Sequence, residues 1–162
     1  VVSPDDRPKF GMYSIIPSVQ PTHATSDGRW AEERLGADRI ESAYAYEELR
    51  KTMGLLALGT DFPVEGIDPQ ATFRSAVVRK DAQGWPTDGY MPTNALSPED
   101  ALRGMTIWNA IATFTESEVG SLEAGKWADF VILDTDLATG MRINKKLPVR
   151  ATYVAGEEVV SN

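Results

Sequence analysis

The stretch LLALGTDFPVEG, residues 55–66, is an apolar run that ends abruptly on a carboxylate at Asp61, with Phe62, Pro63 and Glu65 close behind. LLALG is too short for a helix of its own and reads as a buried strand. In β/α barrels, catalytic groups stand at the carboxyl ends of strands, where the βα loops converge. An acid at such an exit can bind a hard or borderline metal, or accept a proton from metal-bound water. It can equally be a turn or N-cap residue ahead of Pro63. The stretch leaves both open.

Its neighbours favour a parallel arrangement. Upstream, YSIIPSVQP (13–21) is rich in β-formers but contains Pro17, which removes a ladder donor and predicts a weak or bulged strand. THATSDGRWAEERLG (22–36) predicts a loop holding a short helix. In ADRIESAYAYEELRKTMG (37–54), Ile40, Ala43, Tyr44, Leu49 and Met53 fall roughly on one helical face, and Gly54 supplies the stop. Downstream, Asp68-Pro69 opens another helix, PQATFRSAVVRK (69–80). Strand, helix, strand, helix is the signature of parallel β/α units.

Further out, SPDD (3–6) predicts a helix start with Ser3 as N-cap and Pro4 at the first helical position, stopped early by Gly11. DAQGWPTDGYMPTNAL (81–96) is a long Gly/Pro-rich excursion of the kind that is usually functional or mobile. SPEDALRGMTIWNAIATF (97–114) repeats the Ser-Pro-acid start, with Leu102, Met105, Ile107 and Ile111 as its apolar side. After Gly120 come short β segments, GSLEAGKWADFVILD (120–134) and VRATYVAGEEVV (149–160), the second a hairpin about Ala155-Gly156-Glu157. The change in texture divides the chain into a β/α part, 1–115, and a minor β layer, 116–162. Two strands with their helices are a fragment of a parallel sheet, which needs both faces covered, so the chain reads as the end of something larger.

Composition narrows the function classes. The chain has 162 residues, 42% apolar and 25% charged, which suits a folded domain. A net charge of −8 argues against nucleic-acid and anionic-membrane partners, which need clustered Lys and Arg; INKKLPVR (143–150) is too short and isolated to count. No run approaches the ~20 apolar residues of a membrane span. VVSPDDRPKF lacks the pattern of a secretory leader and reads as an internal segment. With no cysteine, disulfides and thiolate chemistry are excluded, while the compartment stays open, with the cytoplasm as the default. With one histidine, His23, a His-rich metal site cannot be built from this chain alone.

His23, in QPTHATSD, follows the other strand and can reach the same mouth as Asp61, to polarise a carbonyl or bind metal, or it is a hydrogen-bonded loop residue. Asp27 and Arg34 fix a polar substrate or pair with each other. Trp30, Trp85, Tyr90 and Trp108 line a pocket or, more often for such residues, pack. Glu47-Glu48 with Arg50-Lys51 predicts a solvated helix face. No phosphate-binding loop, nucleophile elbow or paired-acid glycosidase arrangement is recognisable.

GSLEAGKWADFVILD closely resembles the segment by which metal-dependent amidohydrolases return to their small β domain, Gly-Ser-Leu/Ile-Glu-x-Gly-Lys-x-Ala-Asp, three apolar residues and Leu-Asp. SVQPTHATSDGRWAEERLG and LALGTDFPVEGIDP resemble the regions around barrel strands seven and eight of the YtcJ-like branch of amidohydrolase family 3, and SPEDALRGMTIWNAIAT resembles the helix that follows. The pieces cover essentially the whole chain in the right order.

The resemblance implies an α/β fold: the last strands and helices of a (β/α)8 TIM barrel, plus C-terminal strands of a small β-sandwich. It implies a hydrolase that cleaves C–N, amide-like, non-peptide bonds of small molecules with water activated by a divalent metal, zinc first. By position, Asp61 is a metal ligand and the catalytic base, and His23 is a substrate or transition-state contact. Thr60 stands where Ser is common. The family's strand-one His-x-His pair, mid-barrel Lys or acid, and strand-five and strand-six histidines have no counterpart. The chain therefore reads as the C-terminal portion of a longer enzyme, inactive in isolation and holding no metal by itself. The alternative is a non-catalytic module that self-associates through exposed strand edges or joins an N-terminal portion.

Overall fold

The computed structural model describes residues 1–138 and 147–161, so the first four residues of INKKLPVR lie outside the described residues. The two expected parallel strands are present and very short. β1 (Ser18–Val19) pairs in parallel with β2 (Ala57–Leu58), with Ser18 opposite Ala57 and Val19 opposite Leu58. The Ala57 N–H donates to Pro17 O and the Gly59 N–H to Val19 O, both at 3.0 Å. Pro17 has a carbonyl to give the ladder but no N–H, which is why pairing on its side stops there. Leu56, Ala57 and Leu58 are buried, as the apolar run requires.

Two of the three helix starts expected from a cap before proline are where the sequence puts them. α6 (Pro69–Val77) opens with Asp68 Oδ1 accepting from the Gln70 N–H at 3.0 Å. α7 (Pro98–Met105) opens with Ser97 Oγ accepting from the Asp100 N–H at 3.0 Å, each cap satisfying an otherwise unpaired N–H.

Other expectations are corrected. SPDD is a turn: Ser3 O accepts from Asp6 and Arg7, and α1 (Arg7–Met12) begins only at Arg7, with Pro8 in its first turn. Gly11 does not stop α1; it lets the helix lie against residue 52, where an added Cβ would come within 2.2 Å of Thr52 O. The 22–36 segment is not mainly loop. It forms α2 (Pro21–Asp27) and α3 (Ala31–Leu35), so His23 sits in the first turn of a helix.

The single helix expected over 37–54 is broken into α4 (Ala37–Ile40) and α5 (Tyr46–Met53), with Tyr44 between them at φ 51°; Gly54 stops α5 in the left-handed conformation as expected. The helix over 97–114 likewise breaks at Thr106, giving α7 and α8 (Ile107–Ala112). The Thr106 hydroxyl donates to Leu102 O at 2.7 Å, a local bond that competes with helix continuation.

α7 and α8 cover β2, α6 packs against α7, and the core gathers Leu56, Leu58, Phe73, Leu96 and Trp108. Gly104 lets α7 approach: a Cβ there would lie 2.8 Å from Leu56 O. The C-terminal layer is an antiparallel sheet in the order β3 (Phe130–Leu133), β4 (Val149–Val154), β5 (Glu157–Ser161). Ala155 at φ 53° and Gly156 at φ 81° make the two-residue turn of the expected hairpin. Gln70 ties this layer to α6, its side chain exchanging bonds of 2.8 and 2.6 Å with the backbone of Leu147. Among the described residues no helix is long and apolar enough to cross a membrane. The α/β class is as expected.

Candidate functional site

Asp61 and His23, 38 positions apart in sequence, come together beyond the carboxyl ends of the parallel pair. The chain leaves β2 at Leu58, so Asp61 stands in the loop rather than at the last strand residue, and its backbone is left-handed, φ 59°. Asp tolerates that conformation better than most residues, but it remains uncommon outside glycine. The loop holds it: Asp61 O accepts from the Val64 N–H at 2.7 Å, and the Phe62 N–H donates to Thr60 Oγ1 at 3.3 Å. Farther along, Ser26 of α2 donates to Glu65 Oε1 at 2.6 Å, linking the loop to the helix that carries His23.

His23 Nε2 lies 3.3 Å from Asp61 Oδ2. That is ion-pair distance, yet the ring nitrogen is enclosed and makes no aligned hydrogen bond to any partner. A buried polar atom left unsatisfied costs free energy, and such atoms concentrate where a ligand or substrate completes them. Asp61 keeps 43% of its side chain exposed, so water and small molecules can reach it. The pair sets an accessible carboxylate acceptor beside an imidazole. That suits proton abstraction from a water beside Asp61, with His23 donating to or polarising a carbonyl. His23 also borders a cavity of about 190 Å³ with Gln20, Tyr44 and Tyr46.

A metal needs more than this pair. Among the described residues, no group of three His, Cys, Asp or Glu side chains is placed to hold an ion. Two donors fall short of the three protein ligands of a catalytic zinc.

The remaining candidates sort differently. Asp27 does not pair with Arg34; its Oδ2 accepts from the Tyr44 hydroxyl at 2.9 Å. Trp108 is buried in the core, Tyr90 packs against it, and Trp85 lies beneath the Arg29 guanidinium at 4.2 Å. Glu47 and Arg50 are not a solvated face. They form a half-buried network in which Arg50 holds Glu47 at 2.7 and 2.9 Å and reaches Asp100 of α7 at 3.4 Å, while Glu48 pairs with Arg7 of α1.

Arg79 escaped sequence reasoning altogether. It is fully buried, its backbone is left-handed (φ 58°), and burial pulls its pKa down to about 10. As the basic end of RSAVVRK it reads as an ordinary last-turn cation, and no local signal distinguishes it. Burial also pushes the Tyr44 and Tyr46 phenols up, with the Asp27 carboxylate bonded to Tyr44 acting in the same direction there.

The chain matches the model of the amidohydrolase family over residues 1–160. It is 36% identical over 159 residues to the Arabidopsis thaliana protein LONG AFTER FAR-RED 3, covering 98% of this chain and 27% of that one. It is 33% identical to the amidohydrolase-related protein YtcJ of Bacillus subtilis (strain 168) over 75% of this chain and 23% of YtcJ. Among solved structures, an uncharacterized metal-dependent hydrolase from Pyrococcus horikoshii OT3 superposes with a TM-score of 0.74 at 31% identity, covering 85% of this chain and 28% of that one. The chain thus spans about a quarter of the length of these relatives. The YtcJ-like resemblance read from the sequence is borne out, and the chain belongs to the amidohydrolase family.

Proposed function

We propose that the full-length protein hydrolyses a C–N bond in a small, amide-like, non-peptide molecule, and that this chain supplies the Asp61 side of its active site. One observation carries the reading: His23 Nε2 and Asp61 Oδ2 meet at 3.3 Å past the carboxyl ends of two parallel strands. In this reading residues 1–115 form the last strands and helices of a (β/α)8 barrel, and 116–162 contribute strands of a small β-sandwich. Asp61 is the base that takes the proton of the attacking water and a ligand of a divalent metal, zinc first. His23 is the contact that stabilises charge on the substrate oxygen. The metal supplies Lewis acidity and an acidified water when bound. The residues of this chain do not complete its site, so the isolated chain is inactive and every catalytic role assigned within it is one of proton transfer or polarisation. Turnover of full-length Asp61→Asn tests the assignment, because the amide neither balances a metal's charge nor accepts the proton; an enzyme that keeps its rate refutes it.

A second reading has its own support. Val131, Ile132, Val154, Val159 and Val160 of the C-terminal sheet are between 41% and 56% exposed, and apolar strands left open in this way favour association with another chain. The isolated chain should then elute from gel filtration as an oligomer or bind the N-terminal portion of the protein. A clean monomer that ignores that portion contradicts it.

A further inference from the structure

We propose that Arg79 is a positioning residue for His23: its guanidinium fastens Tyr44 and Tyr46, whose hydroxyls hold α2 at its two ends and so set the imidazole against Asp61. The proposal rests on the reading of His23 and Asp61 as one site.

A fully buried cation is costly unless it is paired, yet among the described residues no carboxylate pairs with Arg79. Two backbone carbonyls and a ring face meet it instead, and its Nη1 has no hydrogen-bond partner among the described residues. Nε donates to Tyr90 O at 2.8 Å, Nη2 donates to Tyr44 O at 3.3 Å, and the guanidinium lies over the Tyr46 ring at 4.9 Å. The Tyr90 N–H returns a bond to Arg79 O at 2.8 Å. Two bulky residues in this unit, Arg79 and Tyr44, are left-handed at φ 58° and 51°, and the bond between them spans 35 positions. Strained backbone of this kind persists where the surroundings over-determine it, and it clusters at functional sites. Tyr44 lies in the segment between α4 and α5.

From there the contacts lead to His23. The Tyr46 hydroxyl donates to the carbonyl of Gln20 at 3.1 Å, the residue that caps α2. The Tyr44 hydroxyl donates to Asp27 at 2.9 Å, the last residue of α2. His23 lies between these two anchors, and the middle of the helix is pinned to α6 by the Thr25 and Ser75 hydroxyls at 3.2 Å. A buried arginine that served only to fill space would lower stability when replaced and leave the His23 ring where it is.

The chain has one histidine, so the ring signals of His23 are unambiguous. NMR on the labelled chain, read as ring cross-peaks and the NOE from the His23 ring to the Asp61 β-protons, tests the proposal beside thermal unfolding. The variants are Arg79→Met, Arg79→Lys and Tyr46→Phe. The wild type should show one sharp ring signal and the NOE. Arg79→Met and Arg79→Lys should lose the NOE and broaden the ring signal, because a single ammonium cannot span two carbonyls as the planar fork does. Tyr46→Phe should weaken the NOE through loss of the Gln20 bond alone. If Arg79→Met does not fold, the other two variants decide. Wild-type ring signals and NOE in both Arg79→Lys and Tyr46→Phe, whatever their melting temperatures, overturn the proposal. Loss of the NOE in these variants, together with undiminished turnover in full-length Asp61→Asn, would retain the positioning role and remove only the functional reading.

Discussion

Replacing Gly104 with alanine sets two opposed effects against each other at the contact that seats α7 on β2. Gly104 is buried in the last turn of α7, where alanine is the better helix former by at most about 1 kcal/mol. Against that, the new Cβ would lie 2.7 Å from Leu58 Cγ, 2.8 Å from Leu56 O and 2.9 Å from Leu58 Cδ1. Leu58 can turn away only into a filled core, and Leu56 O belongs to a residue with no exposure, so neither gives way cheaply. Overpacking of this kind costs about 1–3 kcal/mol, and contact with a fixed backbone atom belongs at the upper end. The net is a loss of about 1–2 kcal/mol, or roughly 2–8 °C in melting temperature for a chain of this size. Thermal unfolding followed by far-UV circular dichroism measures it. Gly66→Ala, at a site with open space, is the control and should be near neutral. An unchanged or higher melting temperature for Gly104→Ala refutes the packing of α7 on the strand that leads to Asp61.

Two more outcomes follow from the ion network and the donor count. Arg50 holds the Glu47 carboxyl below its ordinary value of 4.5 against the opposing effect of burial. A depressed acid stabilises the fold fully above its unfolded pKa and loses that contribution as pH falls through the lower folded value. Glu47→Gln should therefore flatten the acid side of the stability profile below about pH 4.5 in denaturant titrations, and an identical acid limb would contradict the network. Calorimetric titration of this chain with Zn²⁺ should show weak binding at most, since Asp61 and His23 supply two donors; a tight one-to-one site would contradict that.

How much of this could be read from the sequence depended on the range of the interaction. Asp68-Pro69 and Ser97-Pro98 announced their helices because a cap bonds within three residues of itself. Ser3-Pro4 carries the same letters and forms only a turn, in which the Asp6 and Arg7 N–H groups donate to Ser3 O while Ser3 Oγ donates to Asp6 Oδ2 at 2.7 Å. Gly11 lies against Thr52 O, and the 37–54 helix is interrupted before Tyr44, whose carbonyl accepts from Arg79. Both contacts are tertiary and leave no local trace. The site divides in the same way. That Asp61 and His23 share one mouth was legible from strand order, whereas their separation, the enclosed Nε2 and the buried Arg79 appear only once the chain is folded.

The central claim is that Asp61 carries the proton of the hydrolytic step. Steady-state kinetics of full-length Asp61→Asn, assayed with added divalent metal, tests it most directly. Loss of a positioned base costs about 10²–10⁴-fold, so kcat should fall by at least that much while the folded state is kept. A variant that retains kcat within a few-fold of the parent contradicts the account.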